Sequence, residues 1–318
     1  MTTTNTTIRS QSAAIPQVRL SERVWRRALP YLLVFPTFLF VVMFTLWPTV
    51  SAVINSTIKP PPTVKQQAKF VGLQNYIDLF DPDTPIGDDF PRVFTNTLIF
   101  VGLTVPICMA LAFALAMLLN RKIRALGLYR FAFFYPVLMP LIGAGSIFAF
   151  IFADTIGLAN TVLRSFGLAG IKWVGDANWT FISIMLVTIW KQTGFFMIMY
   201  LAGLQNLPQD VYEAADLDGA TIWQKIRYLT FPLLRGTTLF ILTTGAAGAF
   251  QQVDQLYALG EGAPNQRSNL ILYFLFQKYN EPRNLGYVNA ITVILLILLL
   301  SFTVINFVLW ERQTYYEN

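Results

Sequence analysis

The sequence contains no histidine and a single cysteine, Cys108, among its 318 residues. One cysteine cannot form a disulfide within the chain, and without histidine there can be no His-based catalysis or His-based metal site. The phosphate-binding pattern G-x-x-x-x-G-K-[ST] is also missing, so the chain cannot hydrolyse ATP by that route. We therefore expect a protein that is not an enzyme, with no catalytic residue, no metal and no cofactor of its own.

Charged residues are scarce as well, at 13% of the chain against 55% hydrophobic residues. A water-soluble globule of this composition would have to bury an implausible apolar fraction. Six apolar stretches, each about long enough to cross a bilayer as a helix, are centred in residues 28–52, 93–118, 129–152, 180–203, 236–256 and 288–310. The sequence predicts an all-α polytopic membrane protein with six transmembrane helices.

The distribution of basic residues predicts the orientation. The short connection at residues 120–130 carries four basic residues and no acidic one, which marks it as cytoplasmic. Both termini are then cytoplasmic. Residues 1–27 form a cytoplasmic tail, of which residues 1–18 are expected to be disordered, and residues 28–318 form a membrane domain. The net charge of +6 reflects this bias, because the bases lie beside the spans. Nothing in it indicates nucleic-acid binding.

The connections on the opposite side are long. Residues 55–92 are rich in proline and aspartate, and they contain one amphipathic segment, 73–80, that predicts a short helix. Residues 153–179 and 257–287 form the other two external connections. Such loops could receive an extracytoplasmic partner.

The cytoplasmic connection at 204–235 is the most informative part of the chain. Residues 209–217 predict one short helix, Gly219 permits a break, and residues 221–229 predict a second helix that Pro232 ends. Two short helices at an angle would form a compact protrusion onto which another protein could dock. The alternative is an amphipathic helix lying on the lipid headgroups.

The same connection carries a recognisable motif. Glu213-Ala214-Ala215, then Gly219, then Leu229-Thr230-Phe231-Pro232 after nine residues resembles the EAA signature of bacterial ABC-importer permeases. It departs from that signature by Leu for Ile and Phe for Leu. Other segments resemble carbohydrate permeases of the maltose and glycerol-3-phosphate type, first-permease form: Phe70 to Tyr76, Asn96-Thr97, Ala202 to Gln205 and Asp218-Gly219-Ala220. The segment Gly260 to Pro264 lacks the threonine that is usual there.

This resemblance implies a heteromeric importer in the bacterial cytoplasmic (inner) membrane. Its other members would be a sister permease, two cytosolic ATP-binding subunits and an extracytoplasmic solute-binding protein. The importer would carry a sugar or a sugar or polyol derivative. Coupling to the ATPase would pass through the connection at 204–235, at Glu213, Ala214, Ala215, Asp218, Gly219 and Pro232.

Polar residues within the apolar stretches are candidates for the solute pathway, because polar groups are costly at membrane depth. Lys191 falls near the bilayer midplane; it could donate to a solute, form a packing ion pair, or extend towards the headgroups. Side-chain amides suit sugar hydroxyls but equally suit contacts between helices. The candidates are Lys191, Gln192, Phe250, Gln251, Gln252, Asp254, Tyr257 and Asn289. A secondary transporter or channel that acts without ATPase partners is the alternative function.

Overall fold

The computed structural model describes residues 20–61, 67–121, 124–264, 266–281 and 284–311. The tail predicted to be disordered, residues 1–18, lies outside them. Apart from turns and irregular connections, the described residues are helical except for one antiparallel ribbon, in which β1 (Ile58–Lys59) pairs with β2 (Lys69–Phe70). The chain divides after Ser51 into two units. The predominance of helices agrees with the predicted all-α class.

In its described residues the first unit is helical throughout. It comprises α1 (Leu20–Val41), a π-helical turn (Val42–Leu46) and α2 (Trp47–Asn55) as far as Ser51. The apolar stretch Ala28–Asn55 has a mean hydropathy of 2.2 and is long enough to cross a membrane.

The second unit contains three further helices of that kind, α4 (Phe90–Leu119), α8 (Ala177–Gln205) and most of α15 (Leu285–Glu311). Two apolar segments are bent pairs. The first pair is α5 (Leu126–Leu138) with α6 (Leu141–Ile151), bent by 101°. The second pair bends by 67° between Ile222–Leu233 and α12 (Arg235–Phe250). Four helices are thus long enough to span, or six if each bent pair is one span.

The shorter elements lie in the connections: α3 (Gln74–Asp78), α7 (Leu158–Ser165), α9 (Gln209–Leu217), α10 (Ile222–Lys225), α11 (Phe231–Leu233), α13 (Asp254–Ala258) and α14 (Ile271–Tyr279). The helix predicted at 73–80 is confirmed as the shorter α3. Sequence reasoning missed α7 and α14 within the two other long connections.

Two of the predicted spans need correction. The stretch at 129–152 is not one straight helix, because Met139 is extended (φ −75°, ψ 137°) where it precedes Pro140. Proline disfavours the helical conformation of the residue before it, so α5 ends there and α6 starts afresh. The stretch at 236–256 is helical only to Phe250, and Gln251 leaves the helical region (φ −102°, ψ 20°).

Close helix packing in the second unit depends on small residues. α4 packs against α8 and α12, α5 against α8, and α6 against α13. A Cβ added at Gly245 in α12 would lie 2.7 Å from Cζ of Phe196 in α8. Between membrane helices, where lipid is as apolar as the side chains, such close approach supplies much of the packing energy.

Two of the short sequence motifs hold the connections in place. Asn75 donates from Nδ2 to the carbonyls of Ser56 (2.7 Å) and Ile58 (3.1 Å). Asn96 donates to the carbonyl of Arg267 (2.8 Å), and the Oγ1 atom of Thr97 accepts from the amide of Ile271 (2.9 Å). These motif residues satisfy backbone groups that the irregular segments leave without helical partners.

A third anchor is Asn160 in α7, which is 1% exposed. Its amide donates to the carbonyls of Asp154 (3.0 Å) and Ile171 (2.9 Å). Its carbonyl oxygen accepts from the amide of Ile171 (2.9 Å) and from Nε1 of Trp173 (3.0 Å). All the polar capacity of the buried side chain is used to fold the connection between α6 and α8.

Asp78, at the end of α3, is buried beside the start of α15. Burial raises the pKa of its carboxyl, but hydrogen bonds from Gln74 (2.7 Å) and Tyr287 (2.8 Å) and the nearby ammonium of Lys59 outweigh that effect and lower it. The ionised carboxylate is therefore the form that these contacts stabilise.

Candidate functional site

The connection at 204–235 forms two short helices, as predicted. The bounds of α9, Gln209–Leu217, match the predicted helix. The second helix runs through α10, a π-helical turn and α11 as far as Leu233, so Pro232 does not end it. Pro232 lies instead within the last turn of this helix, directly after the π-helical turn.

The turn between the two helices is a fixed structure. Gly219 has φ +72°, and its amide donates to the carbonyl of Asp216 (3.1 Å). The amide of Ala220 donates to the carbonyl of Ala215 (2.9 Å). This pair of bonds is the Schellman arrangement, which calls for glycine at the left-handed position. The prediction of a break at Gly219 is confirmed.

Two side-chain contacts join the helices across this turn. The hydroxyl of Tyr212 donates to Oγ1 of Thr230 (2.9 Å), and Lys225 pairs with Asp216. Thr221 and Gln224 form a capping box at the start of α10. The two helices therefore form one unit rather than two independently moving pieces.

The surface of this unit combines small, acidic and apolar groups. Glu213, Ala214, Asp218 and Gly219 are exposed, and Ala215 and Pro232 are half-buried. A concavity of about 350 Å³ between the helices is lined by Ala215, Asp218, Gly219 and Tyr228, among others. Leu217, at the tip, is 90% exposed, and Ile222 and Trp223 are about two-thirds exposed. We call residues 209–233 the coupling unit, after the role that the EAA resemblance implies for them.

The polar residues near the end of α12 separate into buried and exposed sets. One helix over the predicted stretch 236–256 would carry Gln251, Gln252 and Asp254 together. That expectation is wrong, because α12 ends at Phe250 and Asp254 begins the separate α13. Gln252 is buried and Gln251 exposed, and each donates to a carbonyl four residues earlier. Asp254 is exposed.

Gln192 and Gln252 line one small internal cavity together with Thr104, Thr188 and Cys108. Among the described residues, Oε1 of Gln252 and Oγ1 of Thr104 are buried without a hydrogen-bond partner. Sequence reasoning did not single out the two threonines, since a threonine within an apolar helix commonly bonds its own backbone. The structure brings polar groups of α4, α8 and the end of α12 together inside the helix bundle.

The remaining candidates do not join this cluster. Tyr257 packs edge-on against Tyr273, with ring centroids 5.0 Å apart. Phe250 is buried and contacts Phe302 (6.3 Å between centroids), and Asn289 donates to the carbonyl of Leu285 (2.6 Å).

Lys191 lies at the middle of the 29-residue α8 and is half-buried. Its Nζ donates to the carbonyls of Pro136 (3.2 Å), Val137 (2.9 Å) and Met139 (2.6 Å), at the end of α5. In the part of the chain that the structure describes, no acidic side chain forms an ion pair with it. Nor do any three His, Cys, Asp or Glu residues there lie close enough together to hold a metal.

Comparison with known families gives one match over most of the chain. Residues 88–314 match the family model described as the inner membrane component of binding-protein-dependent transport systems. The match includes the coupling unit and every candidate pathway residue.

Individual relatives extend this likeness. The chain is 31% identical over 283 residues to the arabinooligosaccharides transport system permease protein AraP of Halalkalibacterium halodurans, covering 88% of this chain and 86% of that protein. It is 32% identical over 279 residues to the sulfoquinovosyl glycerol transport system permease protein SmoG of Agrobacterium fabrum, covering 88% and 89%. The sn-glycerol-3-phosphate transport system permease protein UgpA of the same organism is 29% identical, covering 91% and 97%.

A solved structure shows the same fold. A chain from the crystal structure of a bacterial ABC transporter involved in the import of the acidic polysaccharide alginate aligns with a TM-score of 0.78, covering 94% of this chain and 100% of that chain. Sequence identity is 20%, so the likeness concerns architecture.

Proposed function

The chain belongs to the family of inner membrane components of binding-protein-dependent transport systems, and from this premise we propose that it forms one half of the translocation pathway of an ATP-driven sugar importer. The complex lies in the bacterial cytoplasmic membrane. It contains a sister permease, two cytosolic ATP-binding subunits and an extracytoplasmic solute-binding protein. ATP hydrolysis takes place in the partner subunits and not in this chain.

The observation that carries the proposal is the exposed surface of the coupling unit. Leu217 is 90% exposed at the tip, beside the exposed Ile222 and Trp223. A large apolar group held in water by a fixed turn is costly unless a partner covers it. Ala214 lets the partner's backbone approach closely, and Glu213 offers a carboxylate to its donors. Among the described contacts, the only intrachain hydrogen bond to the Glu213 carboxylate comes from Gln209 (2.8 Å), which leaves acceptor capacity for a partner.

The solute we propose is a sugar or a sugar or polyol derivative. The named relatives are transport proteins for polyhydroxylated compounds. Gln192, Gln251 and Gln252 carry amides that can both donate to and accept from hydroxyl groups. Phe250, Asp254, Tyr257 and Asn289 remain further candidates along the same pathway. The contacts of Lys191 with carbonyls at the end of α5 give it a different role.

The orientation is part of the proposal. The coupling unit and both termini face the cytosol, and α3 and the ribbon face outward, in keeping with the basic connection at 120–130. ATPase binding should then depend on the coupling unit and not on α3.

A matched pair of charge insertions tests function and orientation together. Leu217→Asp places a carboxylate at the tip of the coupling unit, and Ile77→Asp places one on α3, where Ile77 is 58% exposed. The complex is purified from its native host through a tag on this chain, and the ATPase subunits recovered with it are counted. We expect Leu217→Asp to lose most of the ATPase and Ile77→Asp to retain it.

The other outcomes are equally informative. Loss of the ATPase subunits with Ile77→Asp alone would mean that the orientation is the reverse of the one proposed. Full ATPase recovery with both variants, and unchanged ATP turnover, would mean that the coupling unit is not the docking element. Uptake by vesicles that contain this chain without any ATPase would favour the secondary transporter or channel.

A further inference from the structure

The break between α5 and α6 requires a partner for the carbonyl groups that it exposes. The last four carbonyls of an α-helix have no acceptor role within the helix. Inside a bilayer each such group costs several kcal/mol if it stays unpaired. Pro140 prevents the chain from continuing the helix through this point. The carbonyl of Pro136 accepts from the amide of Met139 (3.3 Å), whereas the carbonyls of Val137 and Met139 need donors from elsewhere.

Lys191 supplies those donors. Its ammonium group has three N–H bonds, and it lies 3.2, 2.9 and 2.6 Å from the three carbonyl oxygens. The positive charge also faces the negative end of the α5 dipole, where cations are stabilising. The three contacts use the whole donor capacity of the ammonium, which leaves no N–H for a solute.

Gly194 completes the arrangement one helical turn away. A Cβ there would lie 2.0 Å from the carbonyl oxygen of Phe133 and 3.3 Å from Cα of Phe134, both backbone atoms of α5. Residues three apart share one face of a helix, so Gly194 and Lys191 face α5 together. The glycine lets the backbone approach, and the lysine satisfies the carbonyls at its end.

The end of α5 determines where α6 begins, and α6 in turn packs on α13. A Cβ at Gly145 in α6 would lie 2.9 Å from Cβ of Ala258 and 3.3 Å from Cα of Gln255, both in α13. α13 carries the pathway candidates Asp254 and Tyr257. A displaced α5 end would therefore move α13 through direct packing contacts.

We propose that Lys191 and Gly194 form a seat on α8 that holds the third span broken at Met139–Pro140, and that Lys191 acts as a positioning residue for α6 and α13 and not as a solute ligand. The transport consequence rests on the proposed function, whereas the seat itself does not. The same contacts explain how a lysine is retained in the middle of an apolar helix, where no acidic side chain of the described residues pairs with it.

The test measures amide hydrogen exchange in the whole complex, purified through this chain and held in lipid nanodiscs. Lys191→Met keeps the length and removes the charge, Lys191→Arg keeps a charged donor, and Lys172→Met makes the same change at an exposed position. We expect exchange in residues 131–144 to rise about tenfold or more in Lys191→Met, the ratio expected for loss of one charge-assisted hydrogen bond. Lys191→Arg should restore most of the protection, and Lys172→Met should leave it unchanged.

A second arm tests the solute-ligand alternative directly with sulfate as the probe anion. If Lys191 is engaged by the α5 carbonyls, sodium sulfate should give the same exchange as sodium chloride in residues 131–144 of the wild-type complex. Protection by sulfate that disappears in Lys191→Met would overturn the proposal, as would an assembled Lys191→Met complex with wild-type exchange.

Assembly itself is informative. Failure of Lys191→Met to assemble, with recovery in Lys191→Arg, supports the seat, because a solute ligand is not needed for folding. Failure of both would count against it, since arginine also supplies charged donors. All of these outcomes are independent of the Leu217 experiment.

Discussion

Replacement of Gly219 gives a graded test of the coupling unit, because the cost comes from the backbone alone. Gly219 has φ +72°, and nothing lies within 4 Å of a Cβ added there. Asparagine tolerates this left-handed conformation, alanine tolerates it less, and a β-branched residue is the most restricted. The series Asn, Ala, Val therefore increases backbone strain at a position where the added Cβ itself meets no neighbour.

The magnitudes follow from the left-handed conformation. Alanine where φ is positive costs about 1 kcal/mol, and valine about 2 kcal/mol. These costs lower the ratio of the native turn to its alternatives by about fivefold and about thirtyfold. Asparagine should lower it by less than alanine does. A turn that is lost also releases the two backbone bonds from Gly219 and Ala220, and with them the angle between α9 and α10.

The assay is ATP turnover of the complex in nanodiscs, with and without the binding protein from the same host, together with subunit stoichiometry on the same preparation. We expect stimulated turnover to fall in the order wild type, Asn, Ala, Val. Insertion of the spans into the membrane should not change. Equal turnover in all four proteins, or a Gly219→Asn variant as impaired as Gly219→Val, would refute the reasoning from backbone conformation.

Two further predictions concern the connections between spans. Asn160→Ala removes four hydrogen bonds from a buried site and should lower the free energy of unfolding by on the order of 2–4 kcal/mol. The loss should appear as a lower melting temperature by tryptophan fluorescence, with Val162→Ala at a half-exposed position as the control. Equal melting temperatures of the two variants would contradict the role of Asn160 as an anchor. Because folding lowers the pKa of Asp78, its ionised carboxylate stabilises the folded protein. This stabilisation is fully present above the pKa of about 4 of the carboxyl in the unfolded chain, and it is lost as pH falls through the lower pKa of the folded protein. Asp78→Asn should therefore melt below wild type at pH 7, and the gap should narrow below about pH 4; a constant gap would contradict the assignment.

The sequence by itself determined the class of the protein and the two short helices of residues 209–233 with the turn between them. Composition and the lengths of the apolar stretches indicate that these segments lie in lipid. They are then helical, because a helix pairs its own backbone groups where no water is present. The helix at 209–217 and the turn at Gly219 could be predicted because both depend on local conformational preference, and a glycine after a helical run signals its end without help from distant residues.

Tertiary structure decided what the polar residues within the spans do. A sequence places Lys191 at mid-depth but does not show that the end of α5 lies against it, 52 to 55 residues away in the chain. Pro136 and Pro140 indicate irregularity in the third stretch, yet the 101° bend persists because another helix satisfies the exposed carbonyls. Gln251 and Gln252 are chemically identical neighbours, and only the end of α12 makes one exposed and the other buried. Local preference acts within a few residues, whereas burial and the pairing of backbone groups depend on which helices meet.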